Sequence, residues 1–126
     1  MIYDALIIGG GPAGATTGWL LARSGWSIAL LEKVPFPRRK VCGEFISATT
    51  LPLLRDLDIE SAFLDMAGPP VRKVGIYAGK RMLVTPMPVN DDAGERWGRA
   101  LGREHLDTLL LDGARQTGVD VKQPYA

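Results

Sequence analysis

The spacing of apolar residues changes along the chain and predicts strands alternating with helices. Residues 2–8, IYDALII, are apolar and partly β-branched and stop at a run of glycines, which predicts a buried strand of a parallel sheet. Helix formers fill residues 12–24 up to Gly25, and a second short apolar strand follows at residues 27–33. A strand, a tight turn, a helix and a strand within about 30 residues predict a right-handed βαβ unit.

The middle of the chain predicts less regular structure. Residues 34–47 contain two prolines and three adjacent basic residues, so we expect an extended loop. A short helix is predicted near residues 50–57, with Thr50 as its N-cap. The sequence AGPP at residues 67–70 marks a boundary. After it, we predict strands at 71–79 and 80–89 with a turn at 78–79, and then a polar loop at 90–98.

The clearest helix after the first is predicted at residues 103–118. Gly118 ends it, and the following VDVK begins like another strand. The residues expected on its apolar face are Leu106, Leu109, Leu110 and Ala114.

Composition and charge exclude several classes of protein. The chain has 126 residues, of which 46% are hydrophobic and 23% charged, as in ordinary globular domains. A net charge of +1 gives no general attraction to nucleic acid or to an acidic membrane. The single cysteine, Cys42, excludes an internal disulfide framework, and together with the lack of an N-terminal leader or membrane span it predicts a cytoplasmic protein. Cys42 and the single histidine, His105, do not make a metal site.

A glycine-rich turn carries the first chemical signal. Gly9, Gly11 and Gly14 form G-x-G-x-x-G between the first strand and the first helix, with Pro12 and Ala13 inside the motif. Gly9 permits the tight turn, Gly11 lets a pyrophosphate approach the backbone, and Gly14 allows close packing. The turn therefore predicts a dinucleotide site at the helix N-terminus, where unpaired N–H groups attract phosphate.

Glu32 supports the dinucleotide interpretation. It ends the second strand, near the spacing of about 20 residues at which a carboxylate accepts hydrogen bonds from an adenosine ribose. A carboxylate there would also repel a 2′-phosphate, which argues against NADP. The alternative is a purely structural glycine turn beside a surface glutamate. The turn alone does not separate FAD from NAD.

Three segments resemble one group of flavoproteins. DALIIGGGPAGATTGWLLARSGWSIALLEK is similar to the N-terminal FAD fingerprint of the superfamily that includes p-hydroxybenzoate hydroxylase. RRKVCGEFIS resembles the K-x-C-G segment of geranylgeranyl reductase-like flavoproteins, with related segments in flavin-dependent halogenases. GREHLDTLLLDGARQTGVDV resembles their R-x-x-L-D-x-x-L segment. The resemblance implies an α/β fold with a Rossmann-like FAD-binding βαβ unit and part of a β-rich substrate domain.

The resemblance also implies roles for individual residues. Lys33 would lie beside the ribose held by Glu32, and Arg103 would reach back to the FAD from the start of the last helix. The residues expected along the flavin side of the cofactor are Arg39, Cys42 and Gly43. The alternatives are a solvated basic run at residues 38–40 and a cysteine that merely fills a loop.

Members of this superfamily are several hundred residues long, so the resemblance implies an incomplete fold. Residues 1–66 and 98–126 would be the FAD-binding part, and residues 67–97 a partial substrate-domain β segment. The second glycine-aspartate segment of the family does not occur in this sequence. The chain would be a fragment, a truncated product, or a piece completed by another chain or by self-association.

Three functions remain open from the sequence. The first is the N-terminal FAD-binding part of a flavin-dependent oxidoreductase, in which NAD(P)H would supply electrons for reductase, hydroxylase or halogenase chemistry. This part would lack the complete active site, and no catalytic residue can be predicted from it. The second is a dinucleotide-binding module without turnover of its own. The third is an NAD-binding Rossmann enzyme, against which the KVCGEF segment argues.

Overall fold

The computed structural model describes residues 2–41, 43–91 and 94–125. They form two compact units, Met1–Cys42 with Gly102–Ala126 as the first and Gly43–Leu101 as the second. The strands are β1 Ala5–Ile8, β2 Ile28–Leu31, β3 Phe45–Ile46, β4 Lys73–Ala78, β5 Arg81–Pro86, β6 Arg99–Ala100 and β7 Asp120–Lys122. The helices are α1 Pro12–Arg23, α2 Leu51–Asp56, α3 Glu60–Met66 and α4 Arg103–Gln116, with a 3₁₀ turn at Ala48–Thr50 before α2. The functional division into FAD-binding and substrate parts stays a prediction.

The first unit contains the predicted βαβ motif. Strands β1, β2 and β7 form a parallel sheet in the order β1-β2-β7, with Ala5 opposite Ile28 and Ala29 opposite Asp120. Central strand β2 is buried, and Leu30 is 0% exposed. The α/β fold class and the βαβ unit predicted from the sequence are confirmed.

Strand β1 departs from its predicted burial. Leu6 is 59% exposed and Ile8 is 83% exposed, whereas Ile7 between them is half-buried. Side chains alternate between the two faces of a strand, and α1 covers the face that carries Ile7. Nothing in the described part of the chain buries the other face. The prediction of a fully buried strand was therefore wrong for this face.

Helices α1 and α4 pack closely because α4 carries a glycine at their contact. A Cβ built on Gly113 would lie 2.1 Å from the indole ring of Trp19, which is only 8% exposed. On α4, Leu111 is 0% exposed, whereas the predicted core residue Leu109 is only half-buried. Asp107, which the apolar pattern did not include, is also 0% exposed.

The second unit has a helix that the sequence pattern did not predict. Helix α3 is short and lacks a side-chain cap, so it has weak sequence signals. Its Phe63 is 0% exposed. Its Glu60 accepts two hydrogen bonds from the guanidinium of Arg55 in α2, with N–O distances of 2.7 and 2.9 Å. The expected N-cap bond of Thr50 is not formed. Its hydroxyl lies 3.3 Å from that of Ser47 instead.

The predicted hairpin is confirmed as antiparallel strands β4 and β5, paired from Lys73 opposite Pro86 to Ala78 opposite Arg81. Its turn lies at Gly79 and Lys80, one residue later than predicted, and Gly79 has a φ of 59°. Every residue of β4 is exposed, so the hairpin shows both faces to solvent. The predicted loop at residues 34–47 ends in β3, and the predicted loop at residues 90–98 is followed by β6. Strands β3 and β6 pair as a two-stranded antiparallel ribbon. No helix in the described part of the chain is long and apolar enough to cross a membrane.

The contact between α1 and α4 yields a stability prediction. We expect Gly113→Ala to lower the free energy of unfolding by about 1–3 kcal/mol, because the new methyl group must displace a buried indole ring. The measurement is urea unfolding followed by far-UV circular dichroism. Gly68→Ala is the control, since its Cβ would meet only the Ala100 carbonyl at an ordinary 3.6 Å. Equal stability of the two variants would contradict the proposed packing.

Candidate functional site

The glycine turn joins β1 to the start of α1. Gly9 has a φ of +100°, a conformation that side chains disfavour, and its N–H donates to the Leu31 carbonyl at 2.8 Å. A Cβ on Gly14 would lie 1.9 Å from the carbonyl oxygen of Gly9, so no side chain fits there. These two glycines let the chain reverse within the three residues between β1 and α1, and the N-terminus of α1 lies directly beside the ends of the strands.

Glu32 ties two backbone segments together at the end of β2. Its Oε2 accepts a hydrogen bond from the Gly10 N–H at 2.7 Å, and its Oε1 accepts one from the Val34 N–H at 3.0 Å. The residue is only 6% exposed. One carboxylate therefore fixes both the glycine turn and the beginning of the loop after β2.

The environment of Glu32 favours its charged form. Burial raises the pKa of the carboxyl, but the hydrogen bonds from Val34 and Gly10 and the charges of Arg38 and Lys40 oppose it. Together they hold the pKa below its ordinary value. Glu32 is therefore ionised at neutral pH and accepts hydrogen bonds.

Two arginines from distant segments meet beside the turn. Arg103, at the start of α4, contacts Asp107 with both ends of its guanidinium, Nε to Oδ1 at 2.6 Å and Nη2 to Oδ2 at 3.0 Å. Arg38 comes from the loop after β2, and its Nη2 lies 3.8 Å from Asp107 Oδ2 and 3.9 Å from Glu32 Oε2. Its guanidinium also lies over the Phe36 ring, 4.7 Å from the centroid.

Both guanidiniums lie over Gly11. A Cβ on this residue would be 3.8 Å from Arg38 Nη2 and 3.9 Å from Arg103 Nη2. The space here belongs to a cavity of about 750 Å³ at the N-terminus of α1. Its lining is composed of glycine-turn residues, basic side chains and the end of β2: Ile8, Gly9, Gly11, Pro12, Ala13, Gly14, Glu32, Lys33, Val34, Arg38, Arg39, Lys40 and Arg103.

This cavity brings together most of the site residues predicted from the sequence, but some of their side chains are buried and others are exposed. The Arg39 side chain is 91% exposed, with its Nε 3.7 Å from Glu104 Oε1, so it lies at the rim. Lys33 is also exposed. Cys42 lies outside the described residues. Gly43 belongs to the second unit and has a φ of 69°.

Two residues of the site were not predicted from the sequence. Arg38 was treated only as part of a basic run, although its side chain is 16% exposed and points at Gly11. Asp107 was seen only as part of the resembling R-x-x-L-D segment. Its position one helical turn after Arg103, on a face of buried leucines, was the available signal.

Comparison with known proteins identifies the family of this site. The FAD binding domain family matches residues 2–124. The chain belongs to that family. FAD, predicted from the glycine turn and the KVCGEF resemblance, is confirmed as its cofactor.

Relatives of this FAD binding domain agree with the resemblance described from the sequence. Geranylgeranyl diphosphate reductase of Rhodobacter capsulatus is 45% identical over 64 residues, 51% of this chain and 15% of the reductase. Conditioned medium factor receptor 1 of Dictyostelium discoideum is 31% identical over 134 residues, 97% of this chain and 25% of the receptor. The structure of the myxobacterial chondrochloren halogenase CndH, an FAD-dependent halogenase, has a TM-score of 0.83 at 25% identity, over 97% of this chain and 28% of CndH. The chain therefore spans about a quarter of the length of the receptor and of CndH.

The lowered pKa of Glu32 makes a pH-dependent prediction. A carboxyl whose pKa is lower in the folded protein stabilises it above the unfolded pKa, and this stabilisation is lost as the pH falls through the folded pKa. We expect the wild type to be more stable than Glu32→Gln at pH 7, and the difference to shrink as the pH falls below about 4.3. Urea unfolding of both proteins across this pH range measures it. A difference in stability that does not change with pH would contradict the role of the ionised Glu32 carboxylate in these hydrogen bonds.

Proposed function

We propose that the pyrophosphate of FAD lies over Gly11, between Arg38 and Arg103, with the adenosine ribose on the side of Glu32. The observation that supports it most is the convergence of two guanidiniums and a helix N-terminus on Gly11, a residue of the turn that lines the cavity. Arginine forks and unpaired helix N–H groups are the donors that proteins use for phosphate oxygens.

The charges in the cavity fit a dinucleotide. Arg38 and Arg103 face two carboxylates, so their charges nearly cancel, and Lys33, Arg39 and Lys40 add positive charge along the lining. Glu32 already accepts two backbone hydrogen bonds, but a carboxylate has about four acceptor positions and can still accept from a ribose hydroxyl. Its negative charge would repel a 2′-phosphate, which favours FAD over NADP as the bound dinucleotide.

For the complete protein we propose a flavin-dependent oxidoreductase, with NAD(P)H as the source of electrons. When bound, the flavin supplies the redox chemistry, and the residues described here bind and orient it. Relatives that are named as a reductase and a halogenase support redox chemistry in general and leave the substrate open. The single cysteine supports a cytoplasmic location.

A second candidate is a binding module that is completed by another chain or by self-association. The outer face of β1 supports it, because Leu6 and Ile8 are exposed on a parallel strand, and parallel strands are normally covered on both faces. The apolar hairpin residues Ile76 and Leu83 are 56% and 64% exposed. Exposed apolar strands favour association.

Gly11 offers the direct test of the cofactor position. The wild-type chain is incubated with FAD, freed of excess cofactor and measured for flavin absorbance, and its Kd is determined by flavin fluorescence. We expect Gly11→Ala to raise the Kd at least about tenfold and Gly11→Val to raise it further, because their side chains occupy the pyrophosphate position. The fold should survive, since Gly11 has a φ of −69° and the new Cβ meets only guanidinium ends at 3.8 and 3.9 Å.

Gly68→Ala controls for the substitution itself, because Gly68 does not line the cavity. Unchanged FAD affinity of Gly11→Val, with wild-type affinity in the control, would refute the proposed position.

Addition of reduced nicotinamide tests whether this chain is by itself a complete oxidoreductase. If this chain with bound FAD were a complete oxidoreductase, NADPH or NADH would bleach the flavin absorbance faster than it bleaches free FAD. We expect no acceleration by this chain alone, because it spans about a quarter of its relatives. Anaerobic stopped-flow absorbance measures the rate, and free FAD is the reference. Accelerated bleaching would show that this chain alone contains a site for the reductant.

A further inference from the structure

Asp107 is a buried carboxylate on a helix face that otherwise packs apolar side chains. It is 0% exposed and lies among the buried residues Leu106, Leu110 and Leu111 of α4. A buried charge is unfavourable unless it is paired and hydrogen-bonded, so a position like this is normally apolar. The groups that contact the Asp107 carboxylate must therefore explain why a charge is buried here.

Its contacts join two segments of the first unit. Both carboxylate oxygens accept from Arg103, at 2.6 and 3.0 Å, which fixes the guanidinium plane. Oδ2 also lies 3.8 Å from Arg38 Nη2. One carboxylate is thus shared by an arginine of the loop after β2 and an arginine of α4.

The guanidinium nitrogens that face Asp107 are the ones that flank the glycine turn. Arg38 Nη2 and Arg103 Nη2 both lie next to Asp107 Oδ2, and both lie within 3.9 Å of the position of a Cβ on Gly11. Asp107 itself does not line the cavity. It therefore acts on the cavity through the two arginines.

We propose that Asp107 is a positioning residue for the pyrophosphate of FAD, which holds Arg38 and Arg103 beside Gly11. The proposal rests on the cofactor position proposed above. Arginine side chains lose considerable rotamer freedom when they are fixed, and two guanidiniums that lie next to the same carboxylate oxygen repel each other. A shared carboxylate orders both side chains and offsets their repulsion before the cofactor binds, so that binding does not have to order the arginines.

A competing role for Asp107 predicts the opposite result. If its negative charge only weakened the positive potential of the cavity, its removal would strengthen the binding of an anion. Asp107→Asn keeps the shape and one acceptor oxygen but removes the charge. Weaker binding of FAD by Asp107→Asn therefore indicates positioning, and tighter binding indicates that Asp107 only lowers the positive potential.

The experiment measures the Kd of this chain for FAD, ADP and adenosine, by flavin fluorescence and by competition. For Asp107→Asn we expect the Kd for FAD and ADP to rise about tenfold, within the range of one charge-assisted hydrogen bond. The Kd for adenosine, which lacks phosphates, should change less than about twofold. Asp112→Asn is the matched control, because it removes the same charge from an exposed ion pair with Arg115 on the same helix. It should leave all three values unchanged.

A double-mutant cycle with Arg103→Lys tests whether Asp107 acts through Arg103. Lysine keeps the positive charge but cannot form the two-bond contact. In this background Asp107→Asn should add less than about half of its effect on the logarithm of the FAD Kd. If Asp107→Asn does not fold, Asp107→Glu replaces it in the cycle, since it keeps the charge and displaces it by one methylene.

Each outcome decides the proposal. Unchanged or tighter binding of FAD by Asp107→Asn, an equal loss for adenosine, or strictly additive effects in the cycle would overturn it and leave the proposed function standing. If the wild-type chain bound neither FAD nor ADP, the proposed function would fail, and this inference with it.

Discussion

The close approach of the Gly9 carbonyl to Gly14 is the constraint on which the site depends. With only 1.9 Å between that oxygen and a Cβ on residue 14, the turn exists only if the third residue of α1 has no side chain. This contact places the N-terminus of α1 at the carboxyl end of the parallel sheet. The cavity, the hydrogen bonds of Glu32 and the position of Gly11 all follow from that placement, because each is built around the same turn.

The charged residues around the turn form a nearly balanced set. Glu32 binds backbone N–H groups of two loops, whereas Asp107 binds guanidiniums. Arg38 lies between these two carboxylates at distances of 3.9 and 3.8 Å. Charges held in this way need little rearrangement to receive an anionic cofactor. Their electrostatic energy is only partly screened, because the two carboxylates are buried and the two arginines are half-buried.

The exposed apolar strands give a different kind of information. The proposed cofactor cavity has two arginines and a carboxylate in place, yet Leu6, Ile8 and the hairpin remain uncovered by the described residues. A chain that spans about a quarter of its relatives can thus contain an organised cavity and still lack cover for its apolar surface. Binding of the cofactor and turnover of a substrate are therefore separate questions for this chain.

The sequence by itself determined the βαβ unit, the glycine turn and the FAD-binding family, because these depend on local patterns: apolar runs, φ-permissive glycines and short motifs. Glu32 and Arg103, which it singled out, lie in the cavity lining, and their roles stay predictions. It did not determine the burial of β1, since a strand with apolar residues on both faces does not show which face is covered. It named Arg39 as a site residue but contained no basis for preferring it to Arg38, its chemically identical neighbour. Only the tertiary structure decided that, because the packing of α4 on α1 buries Asp107 next to Arg38, while Arg39 is left at the rim.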